Sequence, residues 1–259
     1  MVIGIGISTY NRSKHLDRIL FSIKKFTKSP YHLVVANDGS LDNTINICKN
    51  HGVSVIGSCN KGIAFNKNRA LYALSEFTDS DTIIMLEDDT MPIYPGWEQL
   101  WVKAVKNFGY VTYAHPKIAD GISQGEGTPD NPYACMKITS QCAGVSIKSL
   151  KKVGYFDTRF KGYGIEDGEW TTRLRNSGFG YIKVPQEDGY TKENCMITGA
   201  VQTFDVESYR DNASVAKNRE IFSQIRNDPI PRAAWLNEEE EELLKTDIKE
   251  GIKLICKVW

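Results

Sequence analysis

No apolar run in this sequence approaches the roughly 20 residues that a membrane-spanning helix requires. No C-x-x-C pair occurs among the cysteines Cys48, Cys59, Cys135, Cys142, Cys195 and Cys256. That pattern argues against a zinc ribbon or a dithiol redox motif, and reduced thiols in a cytosolic protein are the simple expectation. Charge of one sign is not in excess either. Lys+Arg 32 and Asp+Glu 32 give a formal net charge of zero. No global field therefore advertises nucleic acid or an anionic membrane, although a local basic groove remains compatible with neutrality. Met1 leads directly into a strand-like pattern without a basic and apolar leader, so no secretory signal is expected. There is no internal repeat, and the only biased run is acidic, Glu238 to Glu242. With 41% hydrophobic and 25% charged residues over 259 positions, the chain has the makings of one large α/β domain or two small ones.

The most informative stretch present is Ile83-Ile84-Met85-Leu86-Glu87-Asp88-Asp89-Thr90. Its apolar start has no helical period and reads as a strand buried on both faces. Buried carboxylates are costly unless paired or bound to a cation. The acids are therefore expected where the strand emerges, at its C-terminal end, which is where open α/β sheets bind ligands. Carboxylates are hard ligands that suit magnesium or manganese bridged to phosphates. A solvated acidic turn is the plainer reading, and this stretch alone does not decide between them.

Alternating elements surround it. Val2–Ile7, Tyr31–Ala36 and Val53–Ile56 read as strands. A helix capped by Ser13 and one over Asp42–Asn50 separate them, and this alternation predicts a parallel sheet with helices on its faces. Gly4-Ile5-Gly6 fails as a dinucleotide fingerprint, because Thr9 stands where the third glycine belongs and the glycines lie inside the strand. Asn60 to Ala70 reads as a loop entering a helix, a place that suits phosphate. Helices are expected at Trp97–Asn107, after Ser149, at Trp170–Ser177 and at Ser208–Gln224. Strands are expected at Val111–His115, Lys137–Ile147 and Tyr181–Val184, and a long loop at Lys117–Pro132. Asn237 caps a final helix whose first turn is glutamate. Leu244, Ile248, Ile252, Ile255 and Trp259 form one face of it, flanked by Lys245, Lys249, Lys253 and Lys257. Such a helix could dock on the inner face of a membrane or on another protein copy. Packing on its own domain is the favoured reading, because such stripes commonly face a core.

Five segments in this order and spacing resemble the family 2 glycosyltransferases. They are Ile7-Ser8-Thr9-Tyr10-Asn11-Arg12, Asn37-Asp38-Gly39-Ser40 with Leu41 to Thr44, the loop to Asn68-Arg69-Ala70, Leu86-Glu87-Asp88-Asp89, and Gly154-Tyr155-Phe156-Asp157 through Glu166-Asp167 to Arg175. The resemblance covers roughly residues 2–185. It implies the α/β fold called GT-A: a Rossmann-like, mostly parallel central sheet flanked by helices. The expected division is a glycosyltransferase domain over 1–205, with a nucleotide half to about 115 and an acceptor half from about 116. A C-terminal helical extension over 206–259 follows.

The resemblance also implies roles. Thr9, Tyr10, Arg12, Asp38, Gly39, Asn68 and Arg69 would hold the donor. Asp38 would accept from an N–H of the base, which points to a UDP-sugar, and Arg69 would approach the base or the diphosphate. Asp38 also has a local alternative as a turn-forming Asx residue. The family's D-x-D motif takes the form Glu87-Asp88-Asp89. Asp89 would bind the divalent cation, manganese or magnesium, and Glu87 or Asp88 would face the ribose or a metal-bound water. One of Glu166 and Asp167, by resemblance Asp167, would be the general base of an inverting transfer to a hydroxyl. Helix capping is the plainer reading of that pair. Trp97, Trp170 and the 117–132 loop are weaker candidates for the acceptor side. The acceptor is left open among a glycan, a lipid-linked sugar, a protein and a modified nucleic-acid base, and neutral charge disfavours the last.

Two departures stand out. Many members place a metal-binding histidine after the last core strand, whereas His15, His32, His51 and His115 all come earlier. Glu169 stands where the family often has Asp. A sugar nucleotidyltransferase is the rival enzyme, but Ser8-Thr9-Tyr10-Asn11 is no glycine-rich phosphate loop. A non-catalytic sugar-nucleotide-binding scaffold has only the missing histidine in its favour.

Overall fold

The structure, a computed structural model, describes residues 2–206 and 211–255, with side chains to 251. The first half alternates as expected: β1 (Ile3–Thr9), α1 (Ser13–Phe26), β2 (Tyr31–Asn37), α2 (Thr44–Asn50), β3 (Ser54–Ile56), α3 (Ile63–Phe77) and β4 (Thr82–Glu87). Then come β5 (Thr90–Pro92), α4 (Trp97–Phe108) and β6 (Tyr110–Tyr113). A 3-10 turn at Pro116–Gly121 leads to β7 (Ile122–Gln124), β8 (Tyr133–Cys135), β9 (Cys142–Ser146), α5 (Ile147–Val153) and α6 (Glu166–Asn176). The chain closes with β10 (Tyr181–Gln186), β11 (Gly189–Ile197), β12 (Val201–Thr203), α7 (Asn212–Ile225) and α8 (Glu238–Ile255).

The main sheet runs β3-β2-β1-β4-β9-β6-β11-β8-β7, with β10 on β11. The β3-β2-β1-β4 side is parallel, β9 is antiparallel to β4 and β6, and β11 returns parallel to β6. Strand period explains the two faces. Ile3, Ile5 and Ile7 of β1, with Ile84 and Leu86 of β4, meet α1 and α4 through Leu16, Ile19, Trp97 and Trp101. Val34, Ala36, Ile83 and Met85 point the other way, to α3, α6 and α8. Trp97 is thus a core residue rather than part of an acceptor wall, and its indole N–H donates to the Thr27 hydroxyl (3.0 Å).

Several local expectations shift. Ser13 does not cap α1. Its own N–H is bound by Asp42 Oδ2 (2.7 Å), so the cap is supplied from the turn after β2. Ser146, not Ser149, caps α5, accepting from Ser149 N–H (3.0 Å). The strand expected over Lys137–Ile147 is only β9, and the 117–132 loop contains a turn of helix and β7. β11 was not foreseen, because its alternation is broken by Lys192, Glu193 and Asn194. The described cysteines form no disulfide, and Cys256 lies outside the described residues. No described helix is long and apolar enough to cross a membrane.

Asn237 does cap α8, its Oδ1 accepting from Glu240 N–H (3.0 Å). Leu244 and Ile248 face the core, as the packing reading has it. The side chains of Ile252, Lys253 and Ile255, and residues Lys257 and Trp259, lie outside the described part.

Trp101 is fully buried against the sheet, and its indole N–H donates to Gly199 O (2.9 Å). Trp101→Ala should cost about 3–5 kcal/mol of stability, read as a lower urea midpoint at unchanged slope.

Candidate active site

β2, β1 and β4 are parallel, so the segments after their C-terminal ends converge on one edge. The loop after β1 and the Asn37–Ser40 turn brace each other. Asn11, at φ +53, accepts from Leu41 N–H (2.8 Å) on its side chain and donates its own N–H to Ser40 Oγ (2.8 Å). Asn37 Oδ1 closes the turn by accepting from Ser40 N–H (3.0 Å). The local Asx role therefore falls to Asn37. Gly39, at φ +74, sits against the Cys59–Asn60 backbone, where a Cβ would come within 2.6 Å of Asn60 N.

Asp38 is left for longer-range work. Its Oδ1 accepts from Lys61 N–H (2.8 Å) and Arg69 Nη1 (3.2 Å), and its Oδ2 from Gly62 N–H (3.1 Å). A carboxylate has about four lone-pair positions. Among the described residues three are used, which leaves one on Oδ2.

The acidic triplet emerges at the end of β4, as the sequence implied, but its members have separate partners. Asp88 turns inward, accepting from Tyr10 N–H (3.0 Å) and from Arg12 Nη1 (2.8 Å). Burial raises its carboxyl despite the Arg12 guanidinium. Thr9 is buried beside it, whereas Tyr10 is exposed at the rim. Glu87 lies 2.8 Å from the Lys67 ammonium. The Glu87 side chain keeps 32% exposure, yet the dense surroundings push its carboxyl up, Lys67 opposing and Asp167 and Asp89 adding to the rise. Among the described residues, the Asp89 carboxylate takes one hydrogen bond, from the Thr90 hydroxyl (2.9 Å).

The first turn of α6 brings the second pair of acids. The helix starts at Glu166 rather than Trp170, so Glu166, Asp167 and Glu169 all lie in its first turn, favourable to the helix dipole. Ile165 precedes them at φ +81, a strained backbone for a β-branched residue. Asp167 accepts from Lys67 Nζ on both oxygens (2.8 and 2.9 Å) and from the Ser140 hydroxyl. Burial pulls the Lys67 ammonium down, but Asp167, Glu87 and Glu166 outweigh it and hold the ammonium well above its ordinary value. Glu166 is pushed up to about 8 by burial and by Asp167. Tyr110, Phe156 and Trp170 line the narrow cavity beneath this cluster.

Other expected site residues lie elsewhere. Asn68 is fully buried, tying Phe156 N–H (2.9 Å) and the carbonyls of Phe156 and Ala234 (2.9 Å each). Arg69 is also fully buried, between Asp38 and Asp247. Neither side chain has surface left for a diphosphate. The reason is helical: apolar residues surround α3, so its polar residues are buried and paired. The same logic could have singled out Lys67, which the sequence reading passed over. Ser140 carried no local signal. Glu169 forms a buried pair with Arg173 (2.7 Å) and Arg232 (3.2 Å), away from the cavity.

His115 follows β6 and comes close to Asp89 after all. Its Nδ1 accepts from Lys117 N–H (3.0 Å), which leaves the proton on Nε2, facing Thr203 Oγ1 (3.1 Å). Burial and Lys117 hold the imidazole below its ordinary value. In this tautomer it offers a cation no lone pair. No group of three or more His, Cys, Asp or Glu among the described residues could hold a metal ion. With Glu87 on Lys67 and Asp88 on Arg12 and Tyr10, Asp89 is the triplet acid with the fewest partners among the described residues. The remaining coordination would have to come from phosphate oxygens and water, as is usual for magnesium.

Glu166 also sets a pH signature. Its carboxyl is raised from 4.5 to about 8 in the fold, so the folded chain keeps a proton that the unfolded chain releases. Stability is then lost as pH rises through that window. Glu166→Gln should therefore gain melting temperature relative to wild type progressively between about pH 5 and pH 8, measured by paired thermal melts across that range.

The profile of glycosyl transferase family 2 matches residues 5–141, just over half the chain. No curated protein matches it. Solved structures share the fold at low identity. The mannosyltransferase PcManGT from Pyrobaculum calidifontis, in complex with GDP-Man and Mn2+, superposes with a TM-score of 0.58 at 15% identity, over 97% of this chain and 69% of that one. S. aureus TarS 1–349 with UDP-GlcNAc gives 0.57 at 12%, over 98% and 73%. Glucosyl-3-phosphoglycerate synthase from Mycobacterium tuberculosis, with Mn2+, UDP and glucosyl-3-phosphoglycerate, gives 0.52 at 15%, over 89% and 81%. The profile spans the Asn37–Ser40 turn and the acidic triplet, and the sheet is the one these enzymes share: the chain belongs to the family 2 glycosyltransferases and is itself a glycosyltransferase.

Proposed function

We propose that the protein is an inverting transferase that moves a sugar from a UDP-sugar to a hydroxyl acceptor, with Asp167 as general base. The observation that carries this reading is the Lys67 ammonium, 2.8 Å from both Glu87 and Asp167. It brings a carboxylate of the acceptor half to the acids at the end of β4.

Uracil is favoured by the state of Asp38. One open acceptor position suits the single N3–H of uracil. Guanine presents two adjacent N–H donors, which match a carboxylate with both oxygens free. Tyr10, exposed at the rim beside Asp38, is placed to cover the base. The similar enzymes cited above carry GDP-Man or UDP compounds, so both bases are compatible with the fold.

Asp89 would hold the divalent cation together with the diphosphate. When bound, that ion offsets charge on the departing diphosphate. The acceptor hydroxyl attacks the anomeric carbon from the side opposite the leaving group. Its proton passes to the Asp167 carboxylate as the new C–O bond forms. The bond to the diphosphate breaks and its electron pair leaves with the nucleotide, so the anomeric configuration inverts. Lys67 and Ser140 orient Asp167 for that transfer. Its bonds to Lys67 must loosen on the face that meets the acceptor. The acceptor class stays open among a glycan, a lipid-linked sugar and another hydroxyl compound.

Thermal shift with UDP, GDP, CDP and dTDP, each with and without manganese, tests the donor side. UDP should raise the melting temperature with manganese, because a ligand of the folded state stabilises it, and Asp89→Ala should remove the manganese-dependent part. No shift with any nucleotide would sink the reading. Once a donor is found, Asp167→Asn should lower kcat by about 10²–10⁴ while donor affinity holds. Unchanged kcat would remove Asp167 from the role of base.

A further inference from the structure

The last helix lies outside the segment matched by the family profile, yet one of its buried acids reaches the base side of the site. α8 lies directly on the edge strand β3. A Cβ on Gly251 would come within 2.6 Å of Ile56 Cγ1 and 2.9 Å of the Val55 carbonyl oxygen. This close approach carries Asp247, 3% exposed, in beside Arg69. Asp247 Oδ2 accepts from Arg69 Nε (2.9 Å) and lies 2.8 Å from Nη2, while Oδ1 accepts from the Ser58 hydroxyl (2.7 Å). Arg69 Nη2 also donates to Cys59 O (3.0 Å). That leaves Nη1 for Asp38 Oδ1 (3.2 Å), shared with Asn66 Oδ1 (3.2 Å).

One guanidinium thus lies between two carboxylates, one from the turn after β2 and one from the C-terminal helix. The arrangement is asymmetric. Asp247 has the Nε/Nη2 edge, and Asp38 has a single N–H. An arginine facing one carboxylate prefers to close on it with two parallel hydrogen bonds. Without Asp247, Arg69 would be drawn onto both oxygens of Asp38 and would fill its open position.

We propose that Asp247 is a positioning residue for the donor base: it holds Arg69 end-on, so that Asp38 Oδ2 stays open to a base N–H. This rests on the reading of Asp38 as the base acceptor. It gives the C-terminal helix a role in donor selection, in addition to covering the sheet edge.

The test is calorimetric titration of the full chain, in manganese, with UDP and with UDP methylated at uracil N3, which lacks the N–H. Wild type should bind UDP at least about tenfold more tightly than the methylated analogue, the worth of one hydrogen bond to a charged group. Asp247→Asn should lose about tenfold in UDP affinity and most of that discrimination. Glu240→Gln is the structural control. Glu240 is buried on the same helix but bonds Thr158 and Lys161 (2.9 Å), not Arg69. It should lower the melting temperature and leave the discrimination intact. Full discrimination in Asp247→Asn, with only a lower melting temperature, would reduce Asp247 to a packing role and overturn the proposal. Equal wild-type binding of both ligands, or no binding, would instead remove Asp38 as the base reader, and the proposal with it. Should Asp247→Asn fail to fold, Asp247→Ser carries the same expectation, because it likewise removes the carboxylate from the Nε/Nη2 edge of Arg69. Retained discrimination there overturns the proposal equally.

Discussion

A buried ammonium group holds the two halves of the site to each other. Lys67 rises from the first turns of α3, where burial disfavours its charge. It stays charged because Glu87 of β4 and Asp167 of α6 face it at 2.8 Å. Both acids are only partly buried, and the ammonium offsets the desolvation each does incur. The cluster therefore stands or falls as a unit. It links the parallel half of the sheet, which presents the Asn37–Ser40 turn, to the helix that presents Asp167. The strained Ile165 backbone just ahead of Glu166 shows that this placement overrides local preference.

Adjacent acids end up with unlike tasks because their surroundings differ. Asp88 is spent on Arg12 and the Tyr10 backbone, fixing the loop after β1. Glu87 is turned to Lys67. Asp89 keeps a carboxylate with a single hydrogen bond among the described residues, from Thr90. On the α6 side, Asp167 is paired and hydrogen-bonded, whereas Glu166 is pushed up to about 8. A carboxyl raised by burial beside a paired carboxylate is a common arrangement in acid–base sites.

Much of the N-terminal half was legible in the sequence, and for identifiable reasons. β1, β2 and β4 are short apolar runs ending in turn or acidic residues, so both their existence and the edge at which the acids emerge follow from pattern. The capping Asn237 and the inward stripe of α8 at Leu244 and Ile248 were legible in the same way. The readings that failed relied on residue type where burial was decisive. Arg69 looked like a phosphate ligand and is a buried strut. Lys67 looked like an ordinary surface lysine and is the centre of the cluster. Trp97 looked like a possible acceptor wall and is core. Ser13 looked like a cap, and Asp42 supplies one from the next turn.

By itself, the sequence determined the order of strands and helices through β4, the strand that delivers the acidic triplet, and the family to which those motifs point. These are local properties, set by hydrophobic period and by turn and cap chemistry within a few residues. Only the tertiary structure decided which polar side chain faces the cavity and which is enclosed. It paired Lys67 with Asp167 across 100 positions of chain and Arg69 with Asp247 across 178. The strength of a charge in a protein depends on what surrounds it, and those surroundings come from segments that no local pattern connects.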